Sequence, residues 1–450
     1  MARGVPSRMR RVHFIGLGCA KNLYDLEDLS GFLIAAGFAP AAEAGRADLI
    51  LVHTCGFLAE ARAEAEGVIG AMLAAHPSTP LIVTGCMVQA HGAALRARFP
   101  AIAALVAFPR YTDIGRIAAA VTAGERVDAD GPGFAIPWWH PRRFRMTPGS
   151  YAYLKISEGC GRRCAFCVIP AIRGPFVSQS VEALVERART LTGHGVRELI
   201  LVSQDTARYG KDIYGAPALP RLLETLLAVS DLAWLRVMYL YPGPELDASL
   251  IRLMAGEPRI CPYFDIPFQH VSARVLKRMG RRGDAAAYRD LVGRIRAAAP
   301  GAALRTTLIT GFPGETEADL EALAGFVREM RFDHLGCFAY SDEPGARSHR
   351  LDGKLPEAVG RARRDRIMAI QQSIAADLNR ARVGTEVTVA VDGPGDDGVM
   401  RGRTARQAPE VDGCVRIRGR ARPGAFAQVR ITGCDGYDLV GRVRPSGGRR

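Results

Sequence analysis

Short apolar runs alternate with longer amphipathic stretches along most of this chain, the pattern of strands buried on both faces and joined by helices. Val12–Leu17 reads as a strand and Asp25–Ala36 as a helix. Asp48–Val52 is a second strand, followed by an Ala- and Glu-rich helix over Glu60–Ala75, and Leu81–Thr84 is a third with a helix after it. Repeated βα units of this kind specify a parallel sheet. Residues 126–147 read as a linker, punctuated by Gly131, Pro132, Gly133, Pro137 and Pro141, with Pro148 just beyond. Trp138 and Trp139 would anchor it against a domain surface. From Tyr151 to about Tyr340 six more strands alternate with helices: Ala152–Ile156, Glu198–Val202, Leu235–Leu240, Tyr263–Ile266, Leu304–Ile309 and His334–Ala339. Six falls short of the eight that close a βα barrel, so an open barrel is expected. A basic helix over Glu357–Arg382 then leads to strand-like segments at Thr385–Val391 and Gly424–Thr432, which suggest a small β-barrel. The tail Pro445–Arg450 is expected to fray. The fold class is therefore α/β: a parallel α/β domain over 10–125, an open (β/α)6 barrel over 146–370, and a small β-barrel over 371–446.

Cysteine placement adds chemistry to this architecture. Cys160, Cys164 and Cys167 form C-x3-C-x2-C in a Gly-containing loop after the strand Ala152–Ile156. Iron–sulfur cubanes usually take four thiolates, so three would leave one iron open to a small molecule. A zinc ribbon would need a second paired knuckle, and no such pair lies nearby. Cys19, Cys55 and Cys86 each fall within about three residues of the carboxyl end of a strand. A parallel sheet brings such ends to one edge, where ligands of open α/β sheets bind, so topology implies a second site of three thiolates. Gly16-Leu17-Gly18 lacks the remainder of a dinucleotide-binding fingerprint. Cys261, Cys337, Cys414 and Cys434 lie in strand-like surroundings without ligand spacing and read as core or redox-silent residues. In the barrel, Ser203-Gln204-Asp205, Tyr241-Pro242, Gln269-His270, Gly311–Glu315 and Ser341 follow strands, at the end where βα barrels carry function.

Charge adds less. The 450 residues carry a formal net charge of +14, from 60 basic and 46 acidic side chains. The excess favours acidic partners such as nucleic acid or a ribonucleoprotein. Only five of the basic residues are lysine, however, and an Arg- and Ala-rich composition equally reflects GC-rich coding, so charge alone assigns no partner. No secretory leader opens the chain and no apolar run approaches the ~20 residues that span a bilayer. Ten cysteines in such a chain read as thiols or metal ligands of a cytoplasmic protein.

Four blocks together resemble one family. Gly16-Leu17-Gly18-Cys19-Ala20-Lys21-Asn22, His53-Thr54-Cys55-Gly56-Phe57 and Thr84-Gly85-Cys86 resemble the amino-terminal domain of the methylthiotransferases. Leu154–Cys160 through Ile169–Gly174 resembles their radical S-adenosylmethionine (SAM) core, and the terminal β segment resembles their TRAM domain. Ser203-Gln204-Asp205-Thr206 and Asp265-Ile266-Pro267-Phe268-Gln269-His270 look like the RimO branch, which modifies an aspartate of ribosomal protein uS12. The sister MiaB branch modifies adenosine in tRNA; few aromatics in the terminal segment favour the protein substrate. One departure is Gly161-Arg162-Arg163, where RimO relatives commonly carry Asn-His-Arg. The resemblance implies two [4Fe-4S] clusters, one on Cys160, Cys164 and Cys167 and one on Cys19, Cys55 and Cys86. It also implies SAM, cleaved to a 5′-deoxyadenosyl radical, with Arg173, Asp205, Gly311, Gly314 and Glu315 as candidates to hold it or to order the motif loop. Partners expected on the same basis are uS12, free or in the small subunit, an electron donor such as flavodoxin or ferredoxin, and ribosomal RNA, but no membrane. A rival of another class is a non-catalytic iron–sulfur sensor; six cysteines in two open sites, beside a barrel that would house SAM, argue against it.

Overall fold

In the amino-terminal sheet six parallel strands lie in the order β2-β1-β3-β4-β5-β6. They are β1 (Arg10–Gly16), β2 (Phe38–Pro40), β3 (Leu49–Thr54), β4 (Leu81–Gly85), β5 (Ala104–Val106) and β6 (Val127–Ala129). The computed structural model describes residues 9–129, 131, 133–134, 139–229 and 231–444. Helices α1 (Ala20–Ala35), α2 (Ala59–Ala75), α3 (Cys86–Arg98) and α4 (Ile114–Thr122) make the crossovers. Every residue of β3 and β4 is buried, which explains their unbroken apolar runs. One core cluster fills the space under α2 and α3 with Ile50, Val52, Ile69, Leu81, Val83 and Leu95.

Two expectations need correction here. Helix α1 starts at Ala20, five residues before the expected Asp25, because Asn22, Asp25, Glu27 and Asp28 are buried polar residues inside it, not a loop before it. The stretch expected as a linker from residue 126 begins with β6, which pairs with β5. Residues 139–146 then lie along α1. Arg143 pairs with Glu27 and Asp28, and its guanidinium stacks over Tyr24 at 4.5 Å and Trp139 at 5.1 Å. Trp138, Pro132, Pro137 and the tail 445–450 lie outside the described residues.

The chain divides into two compact units. One takes residues up to Met146 together with 157–162 and 168–177; the other takes 147–156, 163–167 and 178 onward. In the second, six parallel strands follow chain order: Tyr151–Lys155, Glu198–Val202, Trp234–Val237, Tyr263–Asp265, Ala303–Thr310 and His334–Ala339. Two ladders of three are joined where Leu235 bridges Ile260 and the Leu240 amide donates to Asp265 O at 2.8 Å. The helix Glu357–Arg380 runs unbroken across the expected boundary at 370/371. Buried Ile367 and Ile374, and Gln371 Nε2 donating to Phe332 O at 2.8 Å, fasten this helix to the barrel.

Beyond it, Glu386–Pro394, Met400–Arg403, Val415–Arg418, Phe426–Asp435 and Asp438–Val443 close into a five-stranded barrel around Val389, Val391, Val415, Ile417, Val429 and Leu439. This small barrel meets the first residues of the larger barrel's strands. Tyr151 Oη donates to Glu410 at 3.2 Å, Trp234 packs edge-on against Phe426 at 4.7 Å, and Tyr263 Oη donates to Asp412 at 2.7 Å. Glu198 accepts from Arg236 at 2.7 Å and from Arg403 at 2.8 Å, all three buried. Burial alone would raise the Glu198 pKa, but Arg403 and Arg236 hold it below the usual glutamate range.

Removing one member of such a network leaves buried charge uncompensated. Glu198→Ala is expected to cost about 3–5 kcal/mol, read as a lower urea midpoint. Since the folded-state pKa is depressed, this stabilisation is present at neutral pH and is lost as pH falls below the ordinary glutamate range. A wild-type midpoint that rises on acidification, or one that Glu198→Ala leaves in place, would contradict the assignment.

Candidate active site

The carboxyl ends of β1, β3 and β4 place Cys19, Cys55 and Cys86 at one edge of the amino-terminal sheet. Cys19 is the residue before α1, Cys55 directly follows β3, and Cys86 opens α3. Glycines bring these backbones close. A Cβ on Gly18, whose φ is +96°, would lie 2.7 Å from Cys55 Cβ, and one on Gly56 would lie 2.7 Å from the Met87 amide nitrogen. A side chain at either position would push the cysteine-bearing turns apart.

Polar side chains fix the rest of this edge. Asn22 Nδ2 donates to Leu17 O at 3.0 Å and to Thr54 O at 3.2 Å, so its Oδ1 faces the cysteines and lies 3.5 Å from Cys86 Sγ. Thr54 and Thr84 hydroxyls donate to the carbonyls of Thr84 and Val106 on the neighbouring strands. Arg173, 1% exposed, donates to Asp25 at 2.9 Å, to Glu158 at 3.0 Å and to Asn22 Oδ1 at 2.6 Å, with Phe108 beneath it at 4.8 Å. Burial opposes its charge, but Cys86, Glu158, Asp25 and Cys19 keep it a cation.

The three thiols differ accordingly. Crowding by protein works against the Cys19 thiolate, yet Lys21 and Arg173 bring its pKa below the ordinary value. Burial raises that of Cys55 and pushes Cys86 up to about 12. Among the described residues no three His, Cys, Asp or Glu side chains converge tightly enough to share one metal ion. A four-iron cube makes a different demand, because each thiolate takes its own iron and the donors stand wider apart. Three sulfur donors beside a fixed cation and amide groups fit an anionic cluster of that kind.

Cys160, Cys164 and Cys167 lie half-buried in the loop that leads to the short helix Ile169–Arg173. The Arg162 amide donates to Cys160 Sγ at 3.4 Å, and Arg281 donates to Cys164 Sγ at 3.6 Å. The Ala165 amide donates to Met279 O at 2.7 Å and the Cys160 amide to Gly174 O at 3.2 Å, which pins the loop at both ends.

At the carboxyl ends of the barrel strands, Asp205 is buried and its amide donates to Ser203 Oγ at 3.2 Å, while the Thr206 hydroxyl donates to Met238 O at 2.5 Å. Glu315 is the hub of the next loop: its carboxylate accepts from the Gly311 amide at 2.9 Å and from Arg363 at 2.8 Å. Gly314 donates to Gly353 O at 2.7 Å. Buried His270 stands 3.7 Å from Glu315 and accepts from the Ser272 amide, and burial brings its pKa down to about 4, which keeps the ring neutral near pH 7.

Residues 154–327 match the Radical SAM superfamily, residues 11–107 the Uncharacterized protein family UPF0004, and residues 383–443 the TRAM domain. The chain is 44% identical over 450 residues to ribosomal protein uS12 methylthiotransferase RimO of Symbiobacterium thermophilum, covering 98% of this chain and 92% of that one. It is 42% identical over 442 residues to the protein of the same name from Pelotomaculum thermopropionicum, covering 96% and 99%. The chain belongs to the RimO family. Its fold is also similar to that of TsrM, a radical S-adenosylmethionine methyltransferase from Kitasatospora setae, with a TM-score of 0.53 at 15% identity over 75% of this chain and 77% of that one.

Radical SAM membership brings with it SAM and a [4Fe-4S] cluster. Within this RimO-family chain, the structure gathers Cys19, Cys55 and Cys86 with Arg173. Arg173, expected to hold SAM or to order the motif loop, directs its donors to Asp25, Glu158 and Asn22, where two carboxylates are buried beside it. Glu315 likewise turns its carboxylate inward to its own loop. Sequence reasoning gave no role to Asn22, Asp25, Glu158, Lys21 or Arg281. For the first two the available signal was a polar spacing of three on the first turns of a helix.

The cluster-free protein offers a direct check of the thiol electrostatics. On iodoacetamide treatment followed by peptide mapping, Cys19, exposed and with a lowered pKa, should be alkylated first as pH is raised from about 6, and Cys86 last. Equal rates at the two positions would contradict this picture.

Proposed function

We propose that this chain places a methylthio group on the β-carbon of an aspartate in ribosomal protein uS12, giving 3-methylthioaspartate, by radical SAM chemistry. The observation that carries the reading is the gathering of Cys19, Cys55 and Cys86 at one sheet edge, in a chain that also carries the C-x3-C-x2-C loop and is similar to RimO relatives over 98% of its length. The names of those relatives favour uS12 over a tRNA adenosine as substrate.

The reaction must break an unactivated C–H bond, which no side-chain base working near its tuned pKa can do. The protein therefore supplies binding, orientation and exclusion around cofactors. Cys160, Cys164 and Cys167 would hold one [4Fe-4S] cluster, and Cys19, Cys55 and Cys86 a second. Bound there, the clusters would supply the electron that cleaves SAM to a hydrogen-abstracting radical, and a holding point for the sulfur to be transferred. The Arg162 amide and Arg281 orient Cys160 and Cys164. Asp205 and the Gly311–Glu315 loop shape the SAM pocket, Gly311 and Gly314 through backbone and Glu315 by keeping the loop in one conformation. A low-potential donor such as flavodoxin or ferredoxin would deliver the electrons. The site of action is the cytoplasm, where uS12 is made and assembled; among the described residues no helix is long and apolar enough to cross a membrane.

Contact with ribosomal RNA is proposed through the outer face of the terminal barrel. Arg418 pairs in register with Arg442, and Arg442 with Arg430, so three exposed arginines stand in a row across neighbouring strands. Like charges directly opposite cost stability unless an anion lies across them.

The test of function is mass spectrometry of small-subunit proteins from cells lacking this chain. Loss of the methylthio mass increment from uS12, restored by the wild-type chain but not by Cys55→Ala, is expected; an unmodified tRNA adenosine with uS12 intact would refute the reading. For the RNA contact, the triple change Arg418→Ala, Arg430→Ala and Arg442→Ala should lower the slope of log binding constant against log salt by about 2 to 3 for small-subunit RNA. An unchanged slope removes that contact.

A further inference from the structure

Arg173 is a fully buried arginine at the cysteine edge of the amino-terminal sheet, and its surroundings are more organised than a salt bridge needs. Asp25 and Glu158 take Nη1 from two directions, at 2.9 Å and 3.0 Å. Nη2 meets Asn22 Oδ1 at 2.6 Å. Asn22 has no freedom to turn, because its own amide hydrogens are held by the carbonyls that end β1 and β3, Leu17 and Thr54. Phe108 supports the guanidinium face at 4.8 Å. The planar fork is thus fixed in position and orientation, and it stands beside Cys86 through a shared partner, since Cys86 Sγ lies 3.5 Å from the same Asn22 Oδ1 that Nη2 meets. Glu158, the other anchor, also accepts from the Gly159 amide at 3.1 Å and lies two residues before Cys160 in the chain.

A fixed N–H donor and a full positive charge beside a ligating sulfur is the arrangement by which proteins set the potential of an iron–sulfur centre. Lys21 adds charge near Cys19, but on a flexible stem. Arg173 alone is enclosed, so its effect is not screened by solvent.

We propose that Arg173 is a positioning residue for the cluster held by Cys19, Cys55 and Cys86, raising its reduction potential through a guanidinium fixed, by way of Asn22, beside the Cys86 sulfur. This rests on the two-cluster reading above. The role differs from holding SAM: the donors are committed to the sheet edge, and the group they would steady is the one that carries sulfur. Loss of the cation should make the centre harder to reduce.

The experiment uses the full chain with Cys160, Cys164 and Cys167 changed to Ala, reconstituted without oxygen, so that only the second cluster contributes. Iron content and the midpoint potential from a redox titration followed by electron paramagnetic resonance are measured. The variants are Arg173→Lys, and Arg173→Gln combined with Glu158→Gln, the pair keeping the buried charge in balance should Arg173→Gln alone fail to fold. In the paired variant the potential should fall by at least about 59 mV, a tenfold change in the oxidised-to-reduced ratio of a one-electron couple. Arg173→Lys, which keeps the charge but loses the fork, should fall by less. Variants that lose iron while the remaining centres titrate at the parent's potential would mark Arg173 as merely structural and overturn the proposal. A parent that binds no iron at all would instead overturn the two-cluster reading, and this proposal with it.

Discussion

Parallel pairing of β1, β3 and β4 forces their carboxyl ends to one edge, and with them three cysteines that are far apart in the chain. That single constraint creates an electrostatic difficulty. Three thiols in one place lose hydration and repel one another once ionised, as the pKa of Cys86, pushed to about 12, makes plain. The rest of the amino-terminal unit answers the difficulty. Asn22 latches two strand ends together, Lys21 and the buried Arg173 provide positive charge, and Asp25 and Glu158 hold Arg173 in place. Iron bound at the sulfurs would add the larger share of the compensating charge.

The second unit separates stability from chemistry along its strands. At their first residues, Tyr151, Glu198, Trp234 and Tyr263 are occupied by the small terminal barrel, through buried ion pairs, hydrogen bonds and an aromatic contact. At their last residues lie Asp205, Gln269, His270 and the Gly311–Glu315 loop. Closing one end with a separate domain leaves the other for function, the end at which βα barrels carry their catalytic groups. Gln269 is held at a positive φ of 68° with Thr307 O and the Ile309 amide as its backbone partners, so the strand end is bent where a pocket would need it to be.

Much of this was legible in the residues because the apolar runs are long and the special residues sit beside them. The strands at Glu198–Val202 and His334–Ala339 have the bounds that their runs of apolar residues imply, and each of Cys19, Cys55 and Cys86 lies where strand ends require. What escaped had no periodicity to display. β2, β5 and β6 are three residues each, too short for alternation to register. The start of α1 was hidden because its first turns bury polar side chains that normally signal a loop or cap. The inward turn of Glu315 and the commitment of Arg173 depend on partners such as Arg363 and Asp25, distant in sequence, whose meeting only the fold decides.

The most direct test is Mössbauer spectroscopy with iron quantification on oxygen-free, iron-57-reconstituted wild-type protein beside the two triple cysteine-to-alanine variants. The account expects cubane signals from both sites in the wild type, and one cluster's worth of iron remaining in each variant, whichever set is removed. Full loss of iron on removing Cys160, Cys164 and Cys167, or no loss on removing Cys19, Cys55 and Cys86, would contradict it.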